Sequence, residues 1–327
     1  MRRRGRNAIA VLFVVTALAC SMVGTGDRSG QPATSTSQPP PAGGYFRTLA
    51  EGAWRRLPSG ATCEGLIHRS SWEPRPLNAA ANGRMPDPIA VREAFAARPR
   101  SETGGFASRW DSWLLRRVDG AFTGTTDEIF QWAACKWGLA DNLLRAIAVR
   151  ESTWYQGATS TSGACVPNWG CGDLVTEPTR ATRRYCRGLT ALGGYDYEAD
   201  HAAGICPKTF SIMGIMSWQD PGWGRFPGNQ NGTFPFNRDS TAFAVDYLAA
   251  SLRGCLEGWE PWLGNTGTRP YRRGDVWGCV GSWFAGAWRT PTAMGYIARV
   301  RRALDRRTWL DASFAETMPP CDPACDV

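Results

Sequence analysis

From Thr125 onward the apolar positions recur at helical spacing. Thr125-Thr126-Asp127-Glu128 is an N-terminal helix signal, with acidic residues where the helix dipole favours them. The stretch that follows, IFQWAACKWGLADNLLRAIAVREST, predicts two helices broken near Gly138, the second starting at Asp141. Ala244, Tyr247, Leu248, Ser251, Leu252 and Cys255 repeat the spacing in a core helix that runs from Asp239-Ser240-Thr241 to Leu256. Upstream, over residues 45–124, the periodicity is sparse. IAVREAFAA (89–97) and WDSWLLRRV (110–118) predict short helices there, among prolines and arginines, and no site chemistry stands out.

The most informative position is Glu151. At roughly 100° per residue, Ala140, Leu144, Ile147, Ala148 and Glu151 fall in one stripe of their helix, while Asn142 and Arg145 point elsewhere. A carboxylate on the apolar side is costly unless it has a use. Glu151 is also near the helix C-terminus, with Trp154 and Tyr155 close behind, and both features favour the protonated form that a general acid needs. Periodicity alone also fits a plainer role, a Glu on a fraying last turn paired with Arg150.

The amino terminus bears on the compartment. Arg2, Arg3, Arg4 and Arg6 precede a short apolar run that ends in Ala17-Leu18-Ala19-Cys20, the layout of an export signal over residues 1–20. Cys20 is either lost with the signal or kept as a lipidated first residue, which would attach the protein to a membrane. Residues 21–44, rich in Ser, Thr, Pro and Gly, bury almost nothing and read as a flexible spacer. Ten further cysteines in an exported chain read as disulfides. Parity leaves their exact pairing open; the expected partners are Cys63 with Cys135, Cys165 with Cys171, Cys186 with Cys206, Cys255 with Cys279, and Cys321 with Cys325 in a tail over 311–327. No paired Cys-x-x-Cys occurs and the two histidines, His68 and His201, are far apart, so no metal site is expected.

Composition narrows the partners further. With 327 residues and 43% apolar residues, the chain is too apolar for a disordered protein. Its net charge is +8, but 35 of the 37 basic residues are arginines scattered along the chain; only Lys136 and Lys208 are lysine. That spread argues against a nucleic-acid stripe.

Three segments in order resemble a known family. Trp137-Gly138-Leu139-Ala140 through Ala146-Ile147-Ala148-Val149-Arg150-Glu151-Ser152 is similar to the opening of the soluble lytic transglycosylase (SLT) family of the lysozyme-like superfamily, enzymes that cleave peptidoglycan. Ser211-Ile212-Met213-Gly214-Ile215-Met216-Ser217-Trp218-Gln219 resembles the family's Gly-Leu-Met-Gln segment. Thr292-Ala293-Met294-Gly295-Tyr296-Ile297-Ala298-Arg299-Val300 resembles its closing helix. The resemblance implies a mainly α (α+β lysozyme-like) fold: a helical catalytic domain over 125–310 with a disulfide-clamped insert lobe, and an N-terminal extension over 45–124 packed on it. It implies Glu151 as the single catalytic acid and base. Ser152, Gly214, Ile215, Met216, Trp218, Gln219, Trp283 and Tyr296 are then expected to bind substrate.

The activity so implied is cleavage of the MurNAc-GlcNAc β-1,4 bond of peptidoglycan glycan strands, leaving 1,6-anhydromuramoyl ends, with no cofactor, in an exported monomer. A positive surface suits an anionic wall. Among the sixteen tryptophans, Trp154, Trp169, Trp218, Trp223, Trp283 and Trp288 stand near the motif segments, and two or three of them are expected to stack on sugar. Several positions depart from the family: Ser217 stands where it has Gln, Ser240-Thr241 where it has Asn-Ile, and Ser282-Trp283-Phe284-Ala285-Gly286 where it has Ala-Tyr-Asn-Ala-Gly. The tyrosine that supports the catalytic Glu in relatives is thus absent from its usual place, so either Tyr296 replaces it or activity is reduced. Two alternatives stay open. A hydrolytic muramidase would recruit a second carboxylate from Asp173, Asp196, Glu198, Asp200 or Asp220. A non-catalytic glycan-binding protein on the same fold would have a filled cleft or a salt-bridged Glu151.

Overall fold

Local capping sets where the long helices begin. In the computed structural model, which describes residues 37–98, 100–157, 174–175, 177–199, 202–217 and 231–316, the Asp87 carboxylate accepts from the Ile89 amide at the head of α1 (Pro88–Ala97). Thr125 and Glu128 cap each other's backbone amides in a capping box that starts α2 (Thr126–Trp137), and Gly138, at φ 60°, ends it in the left-handed conformation that glycine tolerates. α3 (Asp141–Ser152) follows at once. α4 (Arg180–Gly193) is capped by Thr179, α5 (Thr241–Leu256) by Ser240, α6 (Val276–Ala285) by Asp275 and α7 (Pro291–Arg306) by Thr290 with Pro291 in its first turn. The sequence WDSWLLRRV forms a π-helical turn, Trp110–Leu114, that runs into Leu115–Arg117.

The architecture is mainly α. Among the described residues the only sheet is a two-stranded antiparallel hairpin, β1 (Thr209–Phe210) and β2 (Ile215–Met216), with Thr209 opposite Met216 and Phe210 opposite Ile215. α2 packs on α3 and α5, α7 packs on α3 and α6, and α6 packs on α5. Leu57, Cys63, Val91, Trp110 and Leu114, all upstream of α2, belong to the same hydrophobic core as α2, α3 and α5. A separate cluster of Val175, Tyr185, Leu189, Tyr197, Phe210 and Phe234 surrounds α4.

Three of the expected disulfides are present: Cys63–Cys135, Cys186–Cys206 and Cys255–Cys279, each with Cα atoms 5.7 Å apart. They staple the upstream segment to α2, close the smaller cluster, and tie α5 to α6. The Cys165–Cys171 and Cys321–Cys325 pairings and Cys20 lie outside the described residues. No helix among the described residues is long and apolar enough to cross a membrane.

Two expectations need correction. Arg145 and Asn142 do not face solvent: α3 is covered on its polar side too, with Arg145 wholly buried. The reason is compensation of charge. Arg145 Nε donates to Asp127 at 2.8 Å and Nη1 to Asp141 at 2.5 Å, while the Asp141 carboxylate also accepts from the Tyr45 and Phe46 amides. The spacer also ends earlier than residue 44. Asn142 Nδ2 donates to the Ala42 carbonyl and Ser70 Oγ to the Gln38 carbonyl, so the last residues before Tyr45 are fixed by backbone bonds despite their composition.

Candidate functional site

Glu151 occupies the last turn of α3, and the chain leaves that turn in an unusual way. Thr153 and Trp154 both have positive φ, 53° and 67°, a conformation that costs non-glycine residues free energy and persists only where surroundings enforce it. The enforcement is visible. Arg75 Nε donates to the Thr153 carbonyl at 2.9 Å and Asn78 Nδ2 to the Trp154 carbonyl at 2.7 Å. Trp154 is fully buried, donates its indole N–H to the Arg145 carbonyl, and packs against Phe130, Trp309 and Phe314. The upstream segment, in which the sequence offered no chemistry, thus fixes the exit of the helix that carries Glu151.

The hairpin lies against this turn. Ser152 Oγ donates to the Ile212 carbonyl at 2.9 Å, and Ile212 N donates to Gln156 Oε1, so the Glu-Ser pair and the β1–β2 turn are locked together. Gln156 Nε2 also donates to the carbonyls of Asn237 and Arg238, which ties in the short helical turn Phe236–Asp239 just before α5. Within the turn, Gly214 has φ +57°, and a β-carbon there would sit 2.5 Å from Glu151 Oε2. Glycine is needed twice over, for its backbone angle and for the close approach. On the other side, α7 presents Tyr296, whose buried hydroxyl donates to Glu151 Oε1. Burial, reinforced by the adjacent Glu151 carboxylate, pushes the Tyr296 phenol well above its ordinary range, so it stays a donor. Its ring stacks on Phe284 with centroids 4.6 Å apart.

Glu151 opens onto a cavity of about 420 Å³. Gly214, Ile215, Met216 and Trp283 line it, together with Ser282 and Phe284 at the end of α6. The volume suits a ligand of sugar size.

A search of family models, curated proteins and solved structures finds no match to this chain.

The expected site residues therefore divide. Glu151, Gly214, Ile215, Met216 and Trp283 meet at one cavity. Ser152 is a correction: it is buried, does not line the cavity, and its hydroxyl is spent on the Ile212 carbonyl, so it positions the hairpin and has no route to a ligand. Tyr296 likewise acts through Glu151, since its side chain is buried behind the wall. Trp218 and Gln219 lie outside the described residues, as do Trp169, Trp223, Asp173, Asp200 and Asp220. Trp154 and Trp288 are buried core residues. Asp196 and Glu198 accept from backbone amides of their own loop, Glu198 N and Gly204 N, and do not line the cavity.

Sequence reasoning missed part of the wall. Phe106 and Trp110, from the upstream segment, and Glu260 and Trp262, from the turn after α5, all line the cavity. A signal for the last two was available: Trp259-Glu260-Pro261-Trp262 sets one carboxylate among bulky apolar residues. Burial alone pushes the Glu260 carboxyl up to about 8, so it is protonated at neutral pH.

Proposed function

We propose that the chain is an exported peptidoglycan lytic transglycosylase with a lysozyme-like fold and Glu151 as its only catalytic acid and base. The observation that carries this reading is convergence. The three segments that resemble the SLT family, separated by as many as 145 residues between Glu151 and Tyr296, meet at a single carboxylate on a cavity wall. Tyr296 supplies the hydroxyl support that its substituted neighbour at Trp283 cannot.

In the proposed reaction Glu151 donates its proton to the glycosidic oxygen between N-acetylmuramic acid and N-acetylglucosamine as the C–O bond breaks. The resulting Glu151 carboxylate then takes the proton of the muramoyl 6-hydroxyl, whose oxygen attacks C1 and closes the 1,6-anhydro ring. One carboxyl group serves both steps and ends as it began. The Tyr296 bond holds Oε1, and Oε2 lies against Gly214 at the cavity wall. An export signal and disulfides agree with a wall substrate outside the reducing cytoplasm.

Hydrolysis is the weaker reading, because it requires an ionised partner carboxylate. The second cavity carboxyl among the described residues, Glu260, is held mostly in its neutral form at neutral pH by burial, which weakens it as the ionised partner. The test is mass spectrometry of fragments released from peptidoglycan by the purified protein and by Glu151→Gln. Anhydromuramoyl ends that fall at least a thousandfold (~10³) in the variant are expected. Reducing ends would move the reaction to hydrolysis, and no release by either protein would end the enzymatic reading.

A further inference from the structure

Helix α4 has two unlike faces. Tyr185, Cys186 and Leu189 are buried in the smaller cluster, and Cys186 is bridged there to Cys206. Arg180, Arg183, Arg184 and Arg187 recur at the complementary spacing, and all four are exposed. At roughly 100° per residue they fill an arc of about 100°, and the stripe runs about 10 Å along the helix axis. None of their guanidinium groups has a hydrogen-bond, ion-pair or ring partner among the described residues. The helix contains no Asp or Glu, and in the loop after it Asp196 and Glu198 accept from backbone amides. Arg180 with Arg184, and Arg183 with Arg187, are like charges four residues apart, a spacing that destabilises a helix.

A partner that relieves this repulsion must bring several negative charges at close spacing. One small anion engages one or two guanidinium forks, whereas a chain of repeated anionic groups engages all four. The exposed face offers a nucleic acid no stacking platform, since Tyr185, the one aromatic residue of α4, is buried. A lipid surface takes an amphipathic helix by its apolar face. That face of α4 is already spent in the protein core, and the residues that continue the arginine side, Gly188 and Ala191, are too small to insert. The stripe is also separate from the cavity, which no residue of α4 lines. α4 backs the hairpin instead: the Tyr185 hydroxyl donates to the Pro207 carbonyl at 3.0 Å and Phe210 of β1 packs in the same cluster, while Thr209 and Ile215 line the cavity.

We propose that the arginine face of α4 is a second binding surface, outside the cavity, for a linear phosphodiester polymer without bases, of the poly(glycerol phosphate) type. Placing that polymer in the cell wall rests on the reading above; the stripe itself does not. Each phosphodiester offers two unesterified oxygens to a guanidinium fork, so the surface reads charge spacing and its affinity falls steeply with salt.

Binding of synthetic poly(glycerol phosphate) to the full mature chain is measured by calorimetry over a range of salt. Affinity is expected to fall about fiftyfold between about 50 and 200 mM salt, as counterions are released from four neutralised phosphates. Arg180→Gln, Arg183→Gln, Arg184→Gln and Arg187→Gln together are expected to weaken binding at least tenfold (~10) at the lower salt and to remove most of the salt dependence; each alone lowers the slope by about 0.7. Lysine at all four positions is expected to keep the slope and bind a few times more weakly, having lost the forks. The same charge removed elsewhere, with glutamine at the exposed Arg269, Arg272, Arg301 and Arg302, is expected to leave affinity within about twofold. Thermal melts show that each variant is folded. Equal loss in the second glutamine set would reduce the surface to net charge and overturn it. So would no binding of the polymer, or tighter binding of single-stranded DNA, of polyglutamate, or of vesicles of phosphatidylglycerol in phosphatidylcholine. Peptidoglycan release by the unsubstituted protein is scored separately, so an inactive protein with this surface and an active enzyme without it give different results.

Discussion

Glu151 and Glu260 line the same cavity but are held by different physics. Glu151 ends a long helix, and every side of it is specified: Tyr296 bonds one oxygen, Gly214 lies under the other, and Ser152 beside it pins the hairpin. Glu260 sits on a short turn with no polar partner among the described residues, and what controls it is removal from water. The proton transfers proposed for Glu151 require a defined geometry, and the helix exit that supplies it carries backbone strain at Thr153 and Trp154. A carboxyl meant to stay protonated needs only a surrounding of low polarity.

The sharpest way to break the first half of this contrast is Gly214→Ala. The new methyl would stand 2.5 Å from Glu151 Oε2 in a backbone conformation with φ +57°, so the turn must shift away from the carboxylate. Peptidoglycan release is expected to fall by about 10² or more while the fold loses about 1–2 kcal/mol. Release assays beside a thermal melt check both, and unchanged release would mean that the close approach does not position Glu151.

Glu260→Gln probes the second half and predicts a gain. The carboxyl titrates near its ordinary 4.5 in the unfolded chain and at about 8 in the folded one. The folded state therefore holds more protons between those values, and stability drops as pH rises through that window. Removing the titration is expected to change little at pH 4 and to stabilise by up to about 3 kcal/mol at pH 7. Calorimetric melts of both proteins at pH 4, 7 and 9 read this directly; a pH-independent difference would show that Glu260 is not held neutral.

Tyr296→Phe is the smallest change. The ring keeps its stack on Phe284, and only the hydroxyl that supports Glu151 is lost. Release is expected to slow about tenfold in kcat with KM little altered, and the pH profile of kcat to shift because one hydrogen bond to the carboxylate is gone. A change in KM alone would make Tyr296 a binding residue instead of a positioning one.

Much of the frame was legible from local signals. The capping box at Thr125 and Glu128, the stop at Gly138 and the cap at Ser240 are short-range signals, while cysteine parity pointed to disulfides without fixing which cysteines pair. Periodicity put Glu151 on the buried stripe of its helix for the same reason. It failed at Arg145 and Asn142, because a polar face reads as solvated unless another segment brings the matching charges. Asp127 and the backbone around Tyr45 do so here.

The sequence by itself thus determined α2, α3 and α5 with their starts, an even set of cysteines suited to disulfides, and a short list centred on Glu151. Tertiary structure alone decided which groups share a cavity. Phe106, Trp110, Glu260 and Trp262 have no common local pattern, being more than 140 residues apart at the extremes. Their meeting depends on how the upstream loop bonds to the turn after α5. Burial, the quantity that sets the proton on Glu260, belongs to the packed molecule and to no segment of its chain.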